Sequence, residues 1–363
     1  MKNISTKKAL LYNPYLDVLG GGERHVLSMM NVIAEAGYSV DIAWDDTTIL
    51  DKIHTHLDIK VDAFTCIPNV FRENNSHKRN GVTANYDIFI YVTDGSYFVS
   101  KAKQNYIFAM YPLKSLYTWT PLTWLKLRNY AIIANGDFTA DRVRDWLKRE
   151  THVLYPYIDT QFFQHNPQKA KTIMSVGRIF QHLHSKRHDI VIDAFIKLKN
   201  DYDEFKDFNL EVIGGLKKED EEYLTSLQKM TEGRSDITFH VNISYDQLRS
   251  KYASAMFYWH AGGFDIDEDL HPESVEHVGI TPLEAMASGC VTFCYDAGGP
   301  KRYIDNGRTG YLYSSIDDLI YKTHTAFQGL QKTDDIVQSA QAYVSEHFSY
   351  PVFKNAAEQI FKL

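Results

Sequence analysis

Glu276 and Glu284 stand eight positions apart in the stretch His271–Gly289, HPESVEHVGITPLEAMASG, and flank the expected start of a short helix. Thr281 is a favourable N-cap, Pro282 suits the first helical position, Glu284 completes a T-x-x-E capping box, and Gly289 ends the helix. On that reading the backbone N–H groups of Gly279, Ile280 and Thr281 lie at a positive helix end, where a phosphate is favoured. One carboxylate on each side of that end suits hydroxyls on either side of a bound diphosphate, as a sugar nucleotide requires. Taken singly, Glu284 reads equally well as a capping residue and Glu276 as a solvated loop charge. Their common position between the apolar runs Ala255–Trp259 and Cys290–Tyr295 favours the joint role.

Two cations belong with them. Arg178 and Lys186 fall in the segment joining the strand Thr172–Val176 to the helix His188–Leu198, on the side where ligands collect in a parallel α/β sheet. An arginine fork and a lysine point charge there could neutralise a leaving diphosphate, although either alone reads as exposed loop charge. Other clusters carry less. The D-x-D at Asp265–Asp267 lacks a metal scaffold, and His182-x-His184 has no cysteine or acid spaced to complete a zinc site, so no metal is expected. No G-x-S-x-G occurs, and Cys290 and Cys294 read as strand interior, so nucleophilic catalysis has no support.

The elements that must position these groups form a repeated α/β succession. Lys8–Tyr12 is a strand, the loop Asn13–Gly22 carries Gly20, Gly21 and Gly22, and apolar residues recur at helical spacing from Glu23 to Ala36 before the strand Ser39–Trp44. The three glycines read either as a tight turn or as a place where a phosphate approaches the backbone. Strands follow at Tyr86–Val92, Asn105–Met110 and Tyr130–Ala134. The stretch Lys101–Arg128 mixes basic and aromatic residues and reads either as buried packing or as a membrane-touching surface. After a polar, proline-containing connection the pattern restarts at Thr172, with further strands at Asn209–Ile213, Asp236–His240 and Ala255–Trp259. The fold class is α/β, with two doubly wound, Rossmann-like domains expected at 1–160 and 168–345 and facing one another across a cleft.

Composition agrees. The length of 363 residues suits two domains, and a net charge of −7 argues against a nucleic-acid partner. The charge is uneven, +2 over residues 1–155 and −9 over 156–363. Three cysteines make no disulfide framework, which points to a reducing, cytoplasmic setting, and no run is apolar enough for a signal peptide or membrane span.

Together EHVGITPLEAMASG, the early GGGER turn, VGRIF with a later KR, and DAGGP from Asp296 resemble glycosyltransferase family 4, the retaining GT-B enzymes, from Leu10 to about Tyr313. The GGGER turn is similar to one in eukaryotic lipid-linked-oligosaccharide mannosyltransferases. The resemblance implies an acceptor-binding first domain, a nucleotide-sugar-binding second domain, and a C-terminal helix within 346–363 returning to the first. It implies that Glu276 contacts donor-sugar hydroxyls and Glu284 the ribose. Arg178 and Lys186 would bind the diphosphate with the backbone at Gly279, Ile280 and Thr281 and, after closure, Gly21 and Gly22; the strand end around Asn242 would lie near the base. It implies transfer of a hexose, mannose among the candidates, to a glycan or lipid-linked glycan at the inner face of a membrane, with no cofactor or essential metal. Met110 departs from the family, which often has histidine there. Besides a hexosyltransferase, a catalytically weak nucleotide-sugar-binding subunit and another GT-B enzyme, a phosphorylase or an epimerase, remain open.

Overall fold

The computed structural model of the protein describes residues 7–163, 168–181 and 185–363; His182 and His184 lie outside them. The chain divides into two units, Met1–Pro156 with Pro351–Leu363, and Tyr157–Tyr350.

The first unit runs β1 (Lys8–Tyr12), α1 (Gly21–Glu35), β2 (Ser39–Ala43), α2 (Ile49–Leu57), β3 (Phe64–Ile67), α3 (Ser76–Thr83), β4 (Ile88–Val92), β5 (Gln104–Ala109), α4 (Pro121–Leu127), β6 (Tyr130–Ala134), α5 (Asp137–Leu147) and β7 (Thr151–Val153). Its seven strands lie in the order β3-β2-β1-β4-β5-β6-β7, and every pairing is parallel. Helices cover both faces of such a sheet, so its inner strands are apolar throughout rather than alternating; all five residues of β4, IFIYV, are buried. The turn before α1 is tighter than the glycine run suggests. Gly20 is the N-cap and α1 starts at Gly21, because the Glu23 carboxylate accepts the Gly20 N–H at 2.9 Å.

The second unit runs β8 (Ala170–Val176), α6 (His188–Asp201), β9 (Asn209–Gly214), α7 (Glu221–Met230), β10 (Ile237–Val241), α8 (Tyr245–Ser254), β11 (Ala255–His260), α9 (Ile280–Ala287), β12 (Val291–Tyr295), α10 (Pro300–Tyr303), β13 (Tyr311–Tyr313), α11 (Ile316–Gln328) and α12 (Leu330–Phe348). Its parallel sheet is ordered β10-β9-β8-β11-β12-β13. Trp259, next to last in β11, is fully buried, and its indole N–H donates to Thr323 Oγ1 at 3.1 Å, tying α11 to the sheet. The Lys169 ammonium, just before β8, donates to the Ala253 carbonyl at 2.9 Å and the Ser288 carbonyl at 2.7 Å, so one cation closes the C-terminal ends of α8 and α9.

A last helix, α13 (Tyr350–Phe361), belongs almost wholly to the first unit. Phe353 packs beside His25 of α1, Phe361 stands edge-on to the Tyr106 ring at 4.9 Å, and Lys354 pairs with Glu35 at 2.6 Å. The basic, aromatic stretch divides in two. Tyr106, Phe108 and Tyr117 are buried, whereas Trp119 and Trp124 are about half exposed, at 50% and 54%. Among the described residues no helix is long and apolar enough to cross a membrane.

Candidate functional site

The start of α9 differs from the expected T-x-x-E box. Its N-cap is Gly279, with φ +81°, and the helix begins at Ile280, so Thr281 and Pro282 lie in its first turn. A side chain is strained in that left-handed conformation, and glycine is not. Tyr303 fixes the turn by donating to the Gly279 carbonyl at 3.0 Å. Glu284 does not reach back to cap the helix. It is buried, and Tyr252 Oη donates to its Oε2 at 3.2 Å. Thr281 instead accepts a hydrogen bond from Tyr258 Oη at 2.9 Å through its hydroxyl. The helix ends as expected: Gly289 has φ +75°, and the Cys290 N–H donates to the Ala285 carbonyl at 2.9 Å while the Gly289 N–H donates to the Met286 carbonyl at 3.2 Å.

Glu276 is the centre of a compact charge cluster. Its Oε2 accepts a hydrogen bond from the Lys186 ammonium, and His260 Nε2 lies 3.1 Å from the same oxygen, off the line of a good hydrogen bond. Its Oε1 accepts the Gly279 N–H at 3.1 Å. That N–H is therefore engaged within the protein, which leaves the first-turn N–H groups of Ile280 and Thr281 as the donors the helix itself does not use. Burial alone would raise the Glu276 carboxyl, but Lys186 and His260 outweigh it and hold the group well below the usual carboxylate range. Glu276 is thus an anion at neutral pH. Burial lowers the His260 pKa, and although the Glu276 charge acts against this the net direction is down, so the ring is neutral there. With side-chain exposures of 15% for Lys186 and 12% for Glu276, the pair is shielded but reachable.

Two glycine positions make this cluster possible. A Cβ on Gly177 would stand 2.4 Å from Lys186 Cγ, so the missing side chain is the channel through which the lysine reaches Glu276. In the DAGGP turn, Gly298 has φ +67°, and a Cβ there would stand 2.2 Å from the Glu276 carbonyl oxygen. The turn is stitched to the same residue by the Gly299 N–H, which donates to that oxygen at 2.7 Å. The two obstacles differ in stiffness. Gly298→Ala meets backbone in a left-handed conformation and is expected to cost about 3 kcal/mol of stability. Gly177→Ala meets only a flexible side chain; it should cost about 1 kcal/mol while displacing Lys186 from Glu276. Urea unfolding separates the two, and equal stability losses would contradict this reading.

The remaining sequence candidates are distributed along the strand ends. Arg178, at the exit of β8, is exposed, its guanidinium lying over the Phe180 ring at 4.4 Å. Asn242 follows β10 with φ +53°, and its Oδ1 accepts the Leu216 N–H at 2.9 Å while its amide donates to the Leu216 carbonyl at 3.3 Å, so the side chain holds the neighbouring strand exit. In the first unit, Gly21 and Gly22 are the first residues of α1, and a Cβ on Gly22 would stand 2.5 Å from Met110 Sδ. The D-x-D acts locally, Asp267 accepting the Asp269 N–H at 2.9 Å.

His260, Tyr252 and Tyr258 escaped the motif search. His260 is the last residue of β11, and its place at the carboxyl end of a central parallel strand was the available signal. Burial raises the Tyr252 hydroxyl well above its ordinary pKa, and the Glu284 carboxylate adds to the effect, so Tyr252 stays a donor.

The family described as "Glycosyl transferases group 1" matches residues 158–327. A human GDP-Man:Man(3)GlcNAc(2)-PP-Dol alpha-1,2-mannosyltransferase is 27% identical over 253 residues, covering 64% of this chain and 49% of the relative. Human alpha-1,3/1,6-mannosyltransferase ALG2 is 29% identical over 224 residues, covering 55% of this chain and 51% of the relative. The chain thus spans about half the length of these curated relatives. In fold it matches a glycosyltransferase from Rickettsia africae ESF-5 with a TM-score of 0.76 at 15% identity, over 98% of both chains. Anabaena Alr3699/HepE, solved in complex with UDP and glucose, matches with a TM-score of 0.71 at 15% identity, over 98% of this chain and 100% of that one.

Proposed function

We propose that the chain, whose residues 158–327 match the glycosyl transferases group 1 and which has the GT-B fold, is a retaining hexosyltransferase moving mannose from GDP-mannose to a lipid-linked glycan. The observation that carries the reading is the Lys186–Glu276–His260 cluster beside the N-terminus of α9. The choice of mannose, GDP and a lipid-linked acceptor is supported by the names of the mannosyltransferase relatives.

In this reaction the bond from the anomeric carbon to the diphosphate oxygen breaks, and the diphosphate leaves with the electron pair. An acceptor hydroxyl oxygen forms the new bond on the same face, and its proton passes to the leaving oxygen. Charge therefore develops on the diphosphate. Lys186, Arg178 and the N–H groups of Ile280 and Thr281 are the groups to stabilise it, and with that charge supplied by the chain no metal ion is essential. Glu276, ionised and fixed by three neighbours, is placed to take donor-sugar hydroxyls. Glu284, oriented by Tyr252, takes the ribose, and the segment around Asn242 meets the base. Gly21 and Gly22, the first residues of α1 in the first unit, have first-turn backbone N–H groups of the kind a phosphate takes. The site of action is the cytoplasmic face of a membrane.

The test is transfer of labelled mannose from GDP-mannose to a lipid-linked oligosaccharide, with the anomeric configuration of the product read by NMR. Retention supports the proposal, and an inverted product overturns the mechanism. Glu284→Ala should weaken GDP binding by roughly ten- to a hundredfold through the loss of charge-assisted hydrogen bonds; unchanged affinity in calorimetry would remove Glu284 from the ribose site. Met110 favours a second reading. Its thioether fills the space against Gly22 where family members often offer a histidine, so a nucleotide-sugar-binding subunit without turnover is the alternative. Tight GDP-mannose binding with no product on any acceptor would select it.

A further inference from the structure

The connection from β5 to β6 carries an apolar surface that the proposed chemistry leaves unused. Trp119, Leu122, Trp124 and Leu125 are 50%, 61%, 54% and 47% exposed. They are held in place rather than loose. Thr120 caps α4 by accepting the Thr123 N–H at 2.9 Å, and Pro121 occupies the first helical position. Leu127 is buried at the far end of the helix, where the Arg149 guanidinium holds the Leu127 carbonyl and donates to the Tyr130 carbonyl at 2.7 Å. On the other side the fully buried Tyr117 stacks on Trp146 at 6.1 Å. Anchors at both ends keep the four apolar side chains standing in solvent.

Charge identifies what covers them. From Gly95 to Gly136 the chain has no aspartate or glutamate, although the whole protein carries a net −7. Lys114, Lys126 and Arg128 lie within or beside the apolar group. Tryptophan with leucine inside a cationic rim is the composition of a bilayer interface: indoles settle at headgroup depth, leucines reach the acyl boundary, and the cations meet anionic lipid. A second copy of this chain fits less well, because a two-fold contact through the patch would set its own cations against each other.

We propose that α4 and the segment before it form a membrane-docking surface for anionic lipid bilayers, through which the protein reaches its acceptor. The inference deepens the proposed function, since a lipid-linked acceptor is met at a bilayer, but it rests on residues separate from those of the transfer site.

Vesicle co-sedimentation tests it without reference to turnover. The wild-type protein should pellet with equimolar phosphatidylcholine and phosphatidylglycerol vesicles at low salt, weakly with phosphatidylcholine alone, and less as salt rises. Lys126→Glu with Arg128→Glu should weaken binding to the mixed vesicles by roughly 30-fold or more, at about 1 kcal/mol per lost cation. Trp119→Ser with Trp124→Ser should weaken it on both compositions. Circular dichroism and thermal unfolding confirm that each variant is folded, and the surface-charge pair, which disturbs no buried group, serves if the tryptophan pair is not. Both variants should keep transfer to a short water-soluble acceptor and lose it to an acceptor embedded in vesicles. If no transfer is seen at all, the proposed reaction fails while the vesicle result still stands. Wild-type protein remaining in the supernatant with both vesicle types, variants pelleting as well as wild type, or self-association abolished by the same substitutions without vesicle binding would each overturn the docking surface.

Discussion

On the proposed reaction, Lys186→Met is expected to lower mannose transfer by on the order of 10²–10³, the usual loss when one electrostatic stabiliser of a developing anion is removed. It should also destabilise the second unit, because Glu276 would remain ionised in a shielded site with its main partner gone; stranding such a charge costs about 3 kcal/mol. Combining Lys186→Met with Glu276→Gln removes the stranded charge. Stability should largely return in the double variant, whereas transfer should not. This split distinguishes a chemical role from a scaffolding one. Near-normal turnover in the single variant, or recovery of both properties in the double variant, would show that Lys186 only balances Glu276.

Acid should destabilise each unit through a buried neutral histidine. In the first unit burial, with Arg24 adding its repulsion, pushes the His25 pKa down to about 3; in the second burial pushes that of His188 down to about 4, with its Nε2 3.3 Å from the Gly177 carbonyl. Both are depressed below the value of about 6.5 expected in the unfolded chain. The unfolded state therefore takes up protons first as pH falls, and native stability declines from pH 6.5 down to the folded pKa. Each group contributes about 1.4 kcal/mol per pH unit in that window, or about 2 kcal/mol between pH 7 and pH 5. Urea unfolding at the two pH values measures it. His25→Phe, with Phe108 and Phe353 already beside the ring, should remove the first unit's share. An undiminished acid loss in that variant would refute the assignment.

Periodicity revealed the architecture because buried parallel strands such as IFIYV and one-sided helices such as α1 leave strong local patterns. The short glutamate-bearing stretch was legible for the same reason, since its residues are neighbours in sequence. What escaped was set by contacts across the sheet. Thr281 has good capping chemistry, yet Gly279 took the cap because Glu276 and Tyr303 grip the turn two residues earlier. Glu284 matched a capping box but found Tyr252, 32 positions away. His260 met Glu276 because β11 and the following loop bring their ends together, and no spacing rule marks such a pair. The aromatic stretch looked uniform in sequence, whereas the β5 strand buries one half and α4 displays the other.

The return of α13 has a consequence for biosynthesis. The ring contacts of Phe353 and Phe361 and the Lys354–Glu35 bridge complete a unit whose strands all precede residue 157. On the ribosome that unit must wait while the 194 residues of Tyr157–Tyr350 are made, roughly 10–40 s at ordinary elongation speeds. Throughout that interval the groove between α1 and β5 lacks its cover, whereas the later unit, continuous in sequence, can close on itself as it emerges. The nascent chain would then be open to chaperone capture in its first unit, whose closure waits for α13.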